Sequence, residues 1–380
     1  FDSKKENLHS WLSSWPMVLQ ALDATTVELR RRKISGPYSC AMRTVELLRM
    51  LIGSCRWSTA GQLMEVVREV GRELVRAKPT ELAVGNVVRR VMHVIREEYA
   101  SKLREALQAE FGAADGAGGA EMDGLSLGSM LAGGDSEAVD YGRNFPDLKQ
   151  NIIEGVNELK DELKDANSHI CDSAADTIHA NEVILTFGYS STVEAFLKAA
   201  AAHHAKLGLS FQVVVAEAAP GLKGHEMGRA LANARIEATV ISDSAVFAIM
   251  ARVNKVILST HAVVANGGLV AGSGSHLIAL AARELSVPVV CVTGLYKLCT
   301  LFPHDQDTFN CMLAPSAVMP YRDADAMPSA EVVNPAYDYV PPDLVDLYIT
   351  NGGRYQPSYI YRLLAEYYHR DDYLLFEEAG

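Results

Sequence analysis

The sequence lacks the features of membrane proteins and of zinc proteins. No apolar run reaches the roughly 18 residues that a membrane-spanning helix needs, and the first residues show no signal-peptide pattern. The six cysteines form no C-x-x-C pair and follow no zinc-ligand spacing, so we interpret them as reduced thiols in the core. We therefore expect a cytoplasmic protein of the cytosol, without metal or cofactor.

Positive charge is also scarce. The chain has 35 Lys and Arg against 47 Asp and Glu, which gives a formal net charge of -12. Nucleic acid and anionic membrane surfaces repel such a chain overall, so we expect no direct nucleic-acid partner and no membrane partner. With 380 residues and 49% hydrophobic content, the chain is long enough for two domains that each bury a core.

The first part of the sequence has helical periodicity. Apolar residues recur every three or four positions in two stretches: Tyr38, Ala41, Val45, Leu48 and Ile52, then Leu63, Val66, Val67, Val70 and Leu74. A third helix is predicted from near Asn86, with Val87, Val88 and Val91 facing inward and a charged outer face. These patterns predict an all-helical domain over residues 1–146. Within it, the Gly-rich segment 112–142 is predicted to be a flexible loop.

A near-heptad apolar stripe then predicts one long connecting helix over residues 147–180, and after it the pattern changes to short β-rich runs. These runs alternate with helical stretches, and they are 183–187, 211–215, 239–241, 256–258 and 288–292. Unbroken apolar runs such as Val289–Val292 are typical of parallel strands buried on both faces. The predicted fold class is therefore α/β, with a Rossmann-like parallel-sheet domain over 181–380.

Ligands of open parallel sheets bind beyond the carboxyl ends of the strands, so the loops there are the candidate sites. Ser190 or Ser191 is predicted to cap the helix after the first strand. Glu217 stands where a dinucleotide site has its ribose-binding carboxylate, but the sequence has no G-x-G-x-x-G fingerprint. Asp243 is either a base or a helix cap.

The fourth loop is rich in glycine and directly precedes a predicted amphipathic helix. Backbone amides converge at such a position and suit an anion, which makes this loop a candidate anion-binding site. A tight turn packed against the sheet is the alternative interpretation. The residues concerned are Asn266, Gly267, Gly268, Gly272 and Ser273.

Several motifs in a consistent order resemble the beta subunits of the guanine nucleotide exchange factor for translation initiation factor 2. They are Arg56-Trp57-Ser58, Val84 to Arg90, Ile95 to Tyr99, Asn181 to Ala195 (NEVILTFGYSSTVEA), His225-Glu226-Met227, Arg252 to Leu258 (RVNKVIL), Ala265 to Gly268 (ANGG) and Pro357 to Leu363 (PSYIYRL). The resemblance covers nearly the whole chain. It implies the sugar-phosphate isomerase-like fold of this family.

The wider family also contains sugar-phosphate isomerases of the methylthioribose-1-phosphate isomerase type, which supply the alternative function. Their reaction uses a cysteine in a T-x-C-N loop and an aspartate in a later loop as proton-transfer groups. Here Gly188 stands at the cysteine position, although Asp243 falls where the aspartate is expected. Where the isomerases have the sequence N-G-D, this chain has Asn266-Gly267-Gly268, with glycine in place of the aspartate. The resemblance thus implies a non-catalytic subunit with vestigial isomerase positions.

The resemblance implies partners as well. They are the alpha, delta, gamma and epsilon subunits of the same exchange factor and the alpha subunit of initiation factor 2, whose phosphorylation the regulatory core senses. On the third helix, Arg89, Arg90, Arg96 and His93 are predicted to form an outward face that contacts this alpha subunit; a merely solvated face is the alternative. Asn181, Gln212 and Thr239 are predicted to line the beta–delta interface and a pocket there.

Overall fold

The structure is a computed structural model that describes residue 8 and residues 10–112, 140–304, 309–324 and 329–375. Its N-terminal part is helical, with α1 (Pro16–Arg30), α2 (Pro37–Ser54), α3 (Ala60–Ala77), α4 (Leu82–Gly112) and α5 (Leu148–Asp172). Pro37 stands at the start of α2, where a missing amide costs nothing, and the Thr59 hydroxyl caps α3 by accepting from the Gln62 amide at 3.2 Å.

The predicted inward stripes of the helical part are confirmed. Leu48, Ile52, Leu63, Val88 and Val91 are at most 1% exposed and belong to one apolar core. Tyr38 is the exception, because it lies near the start of α2 and is 42% exposed. Most of the segment predicted to be a flexible loop, residues 113–139, lies outside the described residues.

The long helix α5 belongs to both halves of the molecule. Its apolar stripe enters the helical core as far as Leu163, whereas Ile170 packs in the core of the sheet. The predicted single helix is shorter than expected, since α5 ends at Asp172 and the four-residue helix α6 (Ala174–Thr177) follows. The predicted domain boundaries remain predictions.

A seven-stranded, mostly parallel sheet forms the second half. In spatial order it is β10-β9-β7-β4-β1-β2-β3, and only β10 runs antiparallel to its neighbour. The strands are β1 (Val183–Phe187), β2 (Gln212–Ala216), β3 (Glu237–Ile241), β4 (Lys255–Ser259), β7 (Val289–Val292), β9 (Leu347–Thr350) and β10 (Gly353–Tyr355). The α/β prediction is therefore confirmed, and β1 and β4, on either side of the point where the strand order reverses, mark the expected ligand crevice.

The sequence did not predict a second, three-stranded antiparallel sheet, β5-β6-β8. Its strands are β5 (Ala262–Val263), β6 (Leu269–Gly272) and β8 (Tyr337–Val340). The remaining helices are α7 (Ser191–Lys206), α8 (Lys223–Asn233), α9 (Val246–Met250), α10 (Ser275–Glu284), α11 (Tyr321–Ala324) and α12 (Ile360–Tyr367). The last of them docks onto the sheet half: Ile360 and Leu364 are at most 1% exposed and pack with Tyr348 of β9.

Candidate functional site

Gly188 and Asp243, which the sequence resemblance predicts to be vestigial isomerase positions, meet at the loop that follows β2. Gly188 has a φ of +58°, and a Cβ on it would lie 3.1 Å from the Cβ of Ala218. The Asp243 carboxylate accepts hydrogen bonds from the backbone amides of Ala218 (2.9 Å) and Ala219 (2.7 Å). The expectation that Asp243 caps its own helix is therefore wrong. Its oxygens hold a neighbouring loop and are already engaged, while Gly188 offers no group for proton transfer.

Two other loop predictions have clear outcomes. Ser190 caps α7, since its hydroxyl accepts from the Val193 amide at 3.4 Å, so the capping prediction is confirmed. Glu217 lies 3.5 Å from the Nε2 atom of His225. Within the described part of the chain, no group of three or more His, Cys, Asp or Glu side chains has the geometry for a metal ion. The same residues include no helix long and apolar enough to cross a membrane.

Strand β6 divides the Gly-rich segment into two separate places. At its start is a tight turn, in which the Asn266 carboxamide oxygen accepts from the Gly268 amide at 2.9 Å and Gly267 has a φ of +83°. A Cβ at Gly267 would lie 2.7 Å from the carbonyl oxygen of Pro357, and one at Gly268 would lie 2.5 Å from the ring of Tyr339. This end of the segment therefore has the geometry of the alternative interpretation, a turn packed closely against its surroundings.

The other end, at Gly272 and Ser273, leads into α10, whose first amides already bind a carboxylate of the chain itself. One Asp338 oxygen accepts from the amides of Gly274 (2.6 Å) and His276 (3.2 Å). The Ser273 amide donates to the Ala336 carbonyl at 3.2 Å. Asp338 thus occupies the position that an external anion would take at this helix N-terminus. An open anion-binding loop over these five residues is not what the fold forms.

Asn181, Gln212 and Thr239 are exposed, at one side of the sheet. Asn181 precedes β1 with a φ of +62°, and its amide donates to the Ser210 carbonyl at 2.8 Å. The Gln212 amide group donates to the Glu237 carboxylate at 3.1 Å. Thr239 lies two positions further along β3, which is the outermost strand on this side. The residues are accessible to a partner, and their predicted interface role remains a prediction.

Arg89 and Arg96 of α4 point inward, which corrects the predicted outward face. Arg89 and Arg96 are only 4% and 8% exposed, whereas the side chains of Arg90 and His93 keep 22% and 14% of their exposure. Burial of a guanidinium is favourable only with good partners. All three arginines find theirs in a segment at the other end of the sequence, residues 367–375, which we call the C-terminal strap.

Asp372 is the centre of this contact and is fully buried. Its carboxylate accepts from Arg96 at 2.9 and 3.1 Å and from Arg68 at 3.2 Å. Arg89 donates to the backbone carbonyls of residues 372 and 373, at 3.2 and 3.3 Å. Arg90 donates to the Tyr367 carbonyl at 3.3 Å and stacks its guanidinium 4.5 Å from the centroid of the Tyr367 ring.

A second buried polar cluster, which the sequence did not predict, lies where the helical part meets the carboxyl ends of β4 and β7. The His261 Nε2 atom donates to the Thr80 carbonyl at 3.1 Å, and the Lys297 ammonium donates to the Thr260 carbonyl at 2.8 Å. Glu81 is 2% exposed and lies 3.5 Å from His261. One sequence feature could have revealed this cluster: His261 follows β4 almost directly and therefore lies beside the ligand crevice.

Burial dominates the titration of this cluster. It lowers the pKa of Lys297 to about 8 and lowers the pKa of His261. Burial, reinforced by the nearby Glu81 carboxylate, also raises the pKa of the Cys40 thiol to about 12, as expected of an unreactive core cysteine. Of the six cysteines, all free thiols, Cys40, Cys55, Cys291 and Cys299 are buried as predicted, whereas Cys171 and Cys311 are only half-buried, so their predicted place in the core is wrong.

The fold and these sites can be compared with known proteins. The sequence profile of the Initiation factor 2 subunit family matches residues 33–357, most of the chain, and the chain belongs to this family. The translation initiation factor eIF2B subunit beta of Dictyostelium discoideum is 41% identical over 373 residues, covering 92% of this chain and 95% of that protein. The same subunit of Schizosaccharomyces pombe is 39% identical over 387 residues, covering 93% and 97%. The resemblance to beta subunits is therefore confirmed.

Solved structures give the same result. Crystalline eIF2B beta from Chaetomium thermophilum matches with a TM-score of 0.69 at 27% identity, covering 96% of this chain and 97% of that one. A chain of the tetrameric eIF2B-beta2-delta2 complex of that organism matches with a TM-score of 0.66 at 27% identity, covering 95% and 99%. A ribose 1,5-bisphosphate isomerase of Pyrococcus furiosus is a more distant relative, 24% identical over 92% of this chain and 95% of that enzyme.

Proposed function

We propose that this chain is a non-catalytic regulatory subunit of the guanine nucleotide exchange factor for translation initiation factor 2. Its partners in that complex are the alpha, delta, gamma and epsilon subunits. The carrying observation is the similarity, over nearly the full length, to eIF2B beta subunits at 39–41% identity. The proposal includes a cytosolic location, because translation initiation takes place in the cytosol. It also includes a role in the integrated stress response, because that response regulates translation initiation.

The isomerase alternative is less well supported. Proton transfer between neighbouring carbons needs an acid and a base within reach of the substrate. Gly188 supplies neither, and both oxygens of Asp243 already accept backbone amides at 2.9 and 2.7 Å. A missing proton-transfer group typically lowers a rate by orders of magnitude. We therefore propose that the sheet domain keeps the isomerase fold without the reaction.

The proposed regulatory role is to bind the alpha subunit of initiation factor 2 and to respond to its phosphorylation. Such a response requires that the phosphorylated form bind one arrangement of the core better than another. We propose a direct contact only for Arg90 and His93, which keep some exposure. For Arg89 and Arg96 the burial supports an indirect role, since neither side chain can reach a second protein without moving.

We further propose that Asn181, Gln212 and Thr239 lie in the interface with the delta subunit. Their exposure on the β3 side of the sheet supports this, and one of the matching structures is a beta2-delta2 tetramer. Substitution of Gln212 by Ala and of Thr239 by Lys should weaken co-purification of the delta subunit. Asn233, exposed at the end of α8, provides a control position. Undiminished co-purification with the first two variants would contradict this interface.

The test of the function is GDP release from initiation factor 2, catalysed by the exchange complex assembled with and without this chain. Each assembly is challenged with the factor phosphorylated on its alpha subunit. We expect that omission of the chain leaves some exchange and abolishes inhibition by the phosphorylated factor. If exchange and inhibition both continue unchanged, the proposal is wrong, and the chain should then be assayed for isomerisation of aldose phosphates.

A further inference from the structure

The C-terminal strap forms a second connection between the two halves of the molecule, beside the connecting helix α5, whose Glu162 accepts from the Tyr367 hydroxyl at 3.3 Å. Its first residue, Tyr367, is the last residue of α12, which is fixed to the sheet half by Ile360 and Leu364. It ends at Leu375, which is 2% exposed and belongs to the core of the helical part. A few residues of chain therefore join the packing of the sheet to the packing of the helices.

The contacts of the strap are directional. The Tyr368 hydroxyl donates to the Leu298 carbonyl at 2.8 Å and the Thr300 hydroxyl donates to the Tyr373 carbonyl at 3.0 Å, both within the sheet half. On the opposite side, Asp372 binds Arg96 and Arg68, and Arg89 binds two strap carbonyls. Buried charge-assisted hydrogen bonds of this kind have strict geometry, so they define one position for α4 against the sheet.

The same contact contains polar atoms that are not satisfied. The Nε atom of Arg90 and the Nδ1 atom of His93 are buried and have no hydrogen-bond partner among the described residues. Both lie on α4, and the Nη1 atom of Arg90 donates to the strap carbonyl of Tyr367. Buried polar groups nearly always have a hydrogen-bond partner. Two such groups without a partner on one face of α4 therefore indicate a contact that a small shift of this helix would improve.

We propose that the strap is a positioning element that couples the sheet domain to the helical domain, with Asp372 as its positioning residue. In this arrangement, a change in the packing of the sheet domain against its neighbours reaches α4 through α12 and the strap. The inference rests on the proposed function, in which the helical domain receives the alpha subunit of initiation factor 2. The inference adds the strap as the connection within the chain through which binding of the alpha subunit and assembly of the exchange complex affect each other.

The test compares two adjacent aspartates in the assembled exchange complex. Asp372→Asn removes the buried charge, whereas Asp371→Asn changes a side chain that is 60% exposed and lies 3.7 Å from Arg96. A third variant, Asp372→Met combined with Arg96→Met, removes the ion pair while keeping the volume of the contact, which often restores packing. The readouts are subunit content, hydrogen exchange of the strap and of α4, and the concentration of phosphorylated factor that halves GDP release.

We expect the Asp372→Asn complex to keep all its subunits and the slow exchange of β1 and β4, while the strap and α4 exchange faster. The half-inhibitory concentration should rise about tenfold, a typical allosteric coupling, and the Asp371→Asn complex should stay close to the unmodified one. The double methionine variant should recover both slow exchange and inhibition, because it packs the strap against α4 without the ion pair; a general loss of stability would not be reversed in this way.

The proposal is overturned if strap and α4 exchange faster in the Asp372→Asn complex while inhibition is unchanged. The proposed function stands in that case, provided that omission of the whole chain abolishes inhibition. If Asp372→Asn does not assemble, Arg68→Gln is the substitute, because that side chain is 31% exposed and its loss leaves Arg96 paired with the aspartate. A released strap with unchanged inhibition in this variant would equally contradict the proposal.

Discussion

Placing a side chain at Gly188, the predicted counterpart of the isomerase cysteine, should destabilise the protein and give no isomerase. The φ of +58° places this residue in the left-handed region, where a side chain costs about 1–2 kcal/mol, and the new Cβ would lie 3.1 Å from Ala218. For a domain of this size, that cost corresponds to a fall in melting temperature of about 2–8 °C. We expect this fall for Gly188→Ala and for Gly188→Cys.

Two other glycines separate the contributions. Gly208 has a φ of +70° but open space around its Cβ position, so Gly208→Ala should show the backbone cost alone. Gly53 has open space and no positive φ, and it lies within α2, so Gly53→Ala should stabilise the helix by about 0.5–1 kcal/mol. Thermal unfolding of the four variants gives the comparison. If Gly188→Ala melts no lower than the unmodified chain, the assigned backbone conformation is wrong; if Gly188→Cys isomerises an aldose phosphate, the non-catalytic assignment is wrong.

Three further predictions concern the interior. Asp338→Ala removes the acceptor at the start of α10 and should cost about 1–2 kcal/mol in chemical denaturation, whereas exposed Asp343→Ala should cost at most about 0.5 kcal/mol; equal effects would contradict the capping role. Burial lowers the pKa of His261 and of His369, so the unfolded chain binds more protons than the folded chain near pH 6.5. The stability that is present above that pH should therefore be lost as the pH falls toward the folded pKa values. Melting temperatures measured from pH 7.5 downward test this, and His261→Gln should reduce the loss. Gly268→Ala places a Cβ 2.5 Å from the Tyr339 ring and should lower stability by about 1–3 kcal/mol in the same denaturation assay; an unchanged midpoint would contradict the close packing.

Sequence patterns predicted the elements whose signal is repeated along the chain. Val88 and Val91 recur at helical spacing, and the buried runs of β1 and β7 are continuous. The local sequence of each of these elements is therefore enough to predict that it is buried. The small sheet was missed because β5 has two residues and β6 lies within a run of glycines, where neither length nor alternation is informative. The short strands of the small sheet form by pairing with strands that are not all adjacent in the sequence, so local sequence patterns do not predict them.

The arginines of α4 illustrate the same limit for the candidate site. Their spacing between valines predicts an outward charged face, and that pattern is correct for most surface helices. Arg96 is instead buried by Asp372, a partner 276 positions away in the sequence. Periodicity identifies which side of a helix is apolar, but it does not predict that a distant carboxylate will cover the polar side. The loops after β1, β2 and β3, by contrast, lie where the pattern of strands predicted them, whereas the fourth predicted loop contains β6.

The burial of Leu375 among the N-terminal helices also has a consequence for synthesis of the chain. The ribosome completes α1 to α4 long before it reaches the strap, so the contribution of Leu375 to the core of the helical part and the ion pairs of Asp372 are added only after these residues have emerged. Until then, the guanidinium groups of Arg89 and Arg96 have no partner from the strap. Contacts of such long sequence separation form slowly, so the final packing of the nascent helical part depends on the strap, which is synthesised after the strands of the sheet.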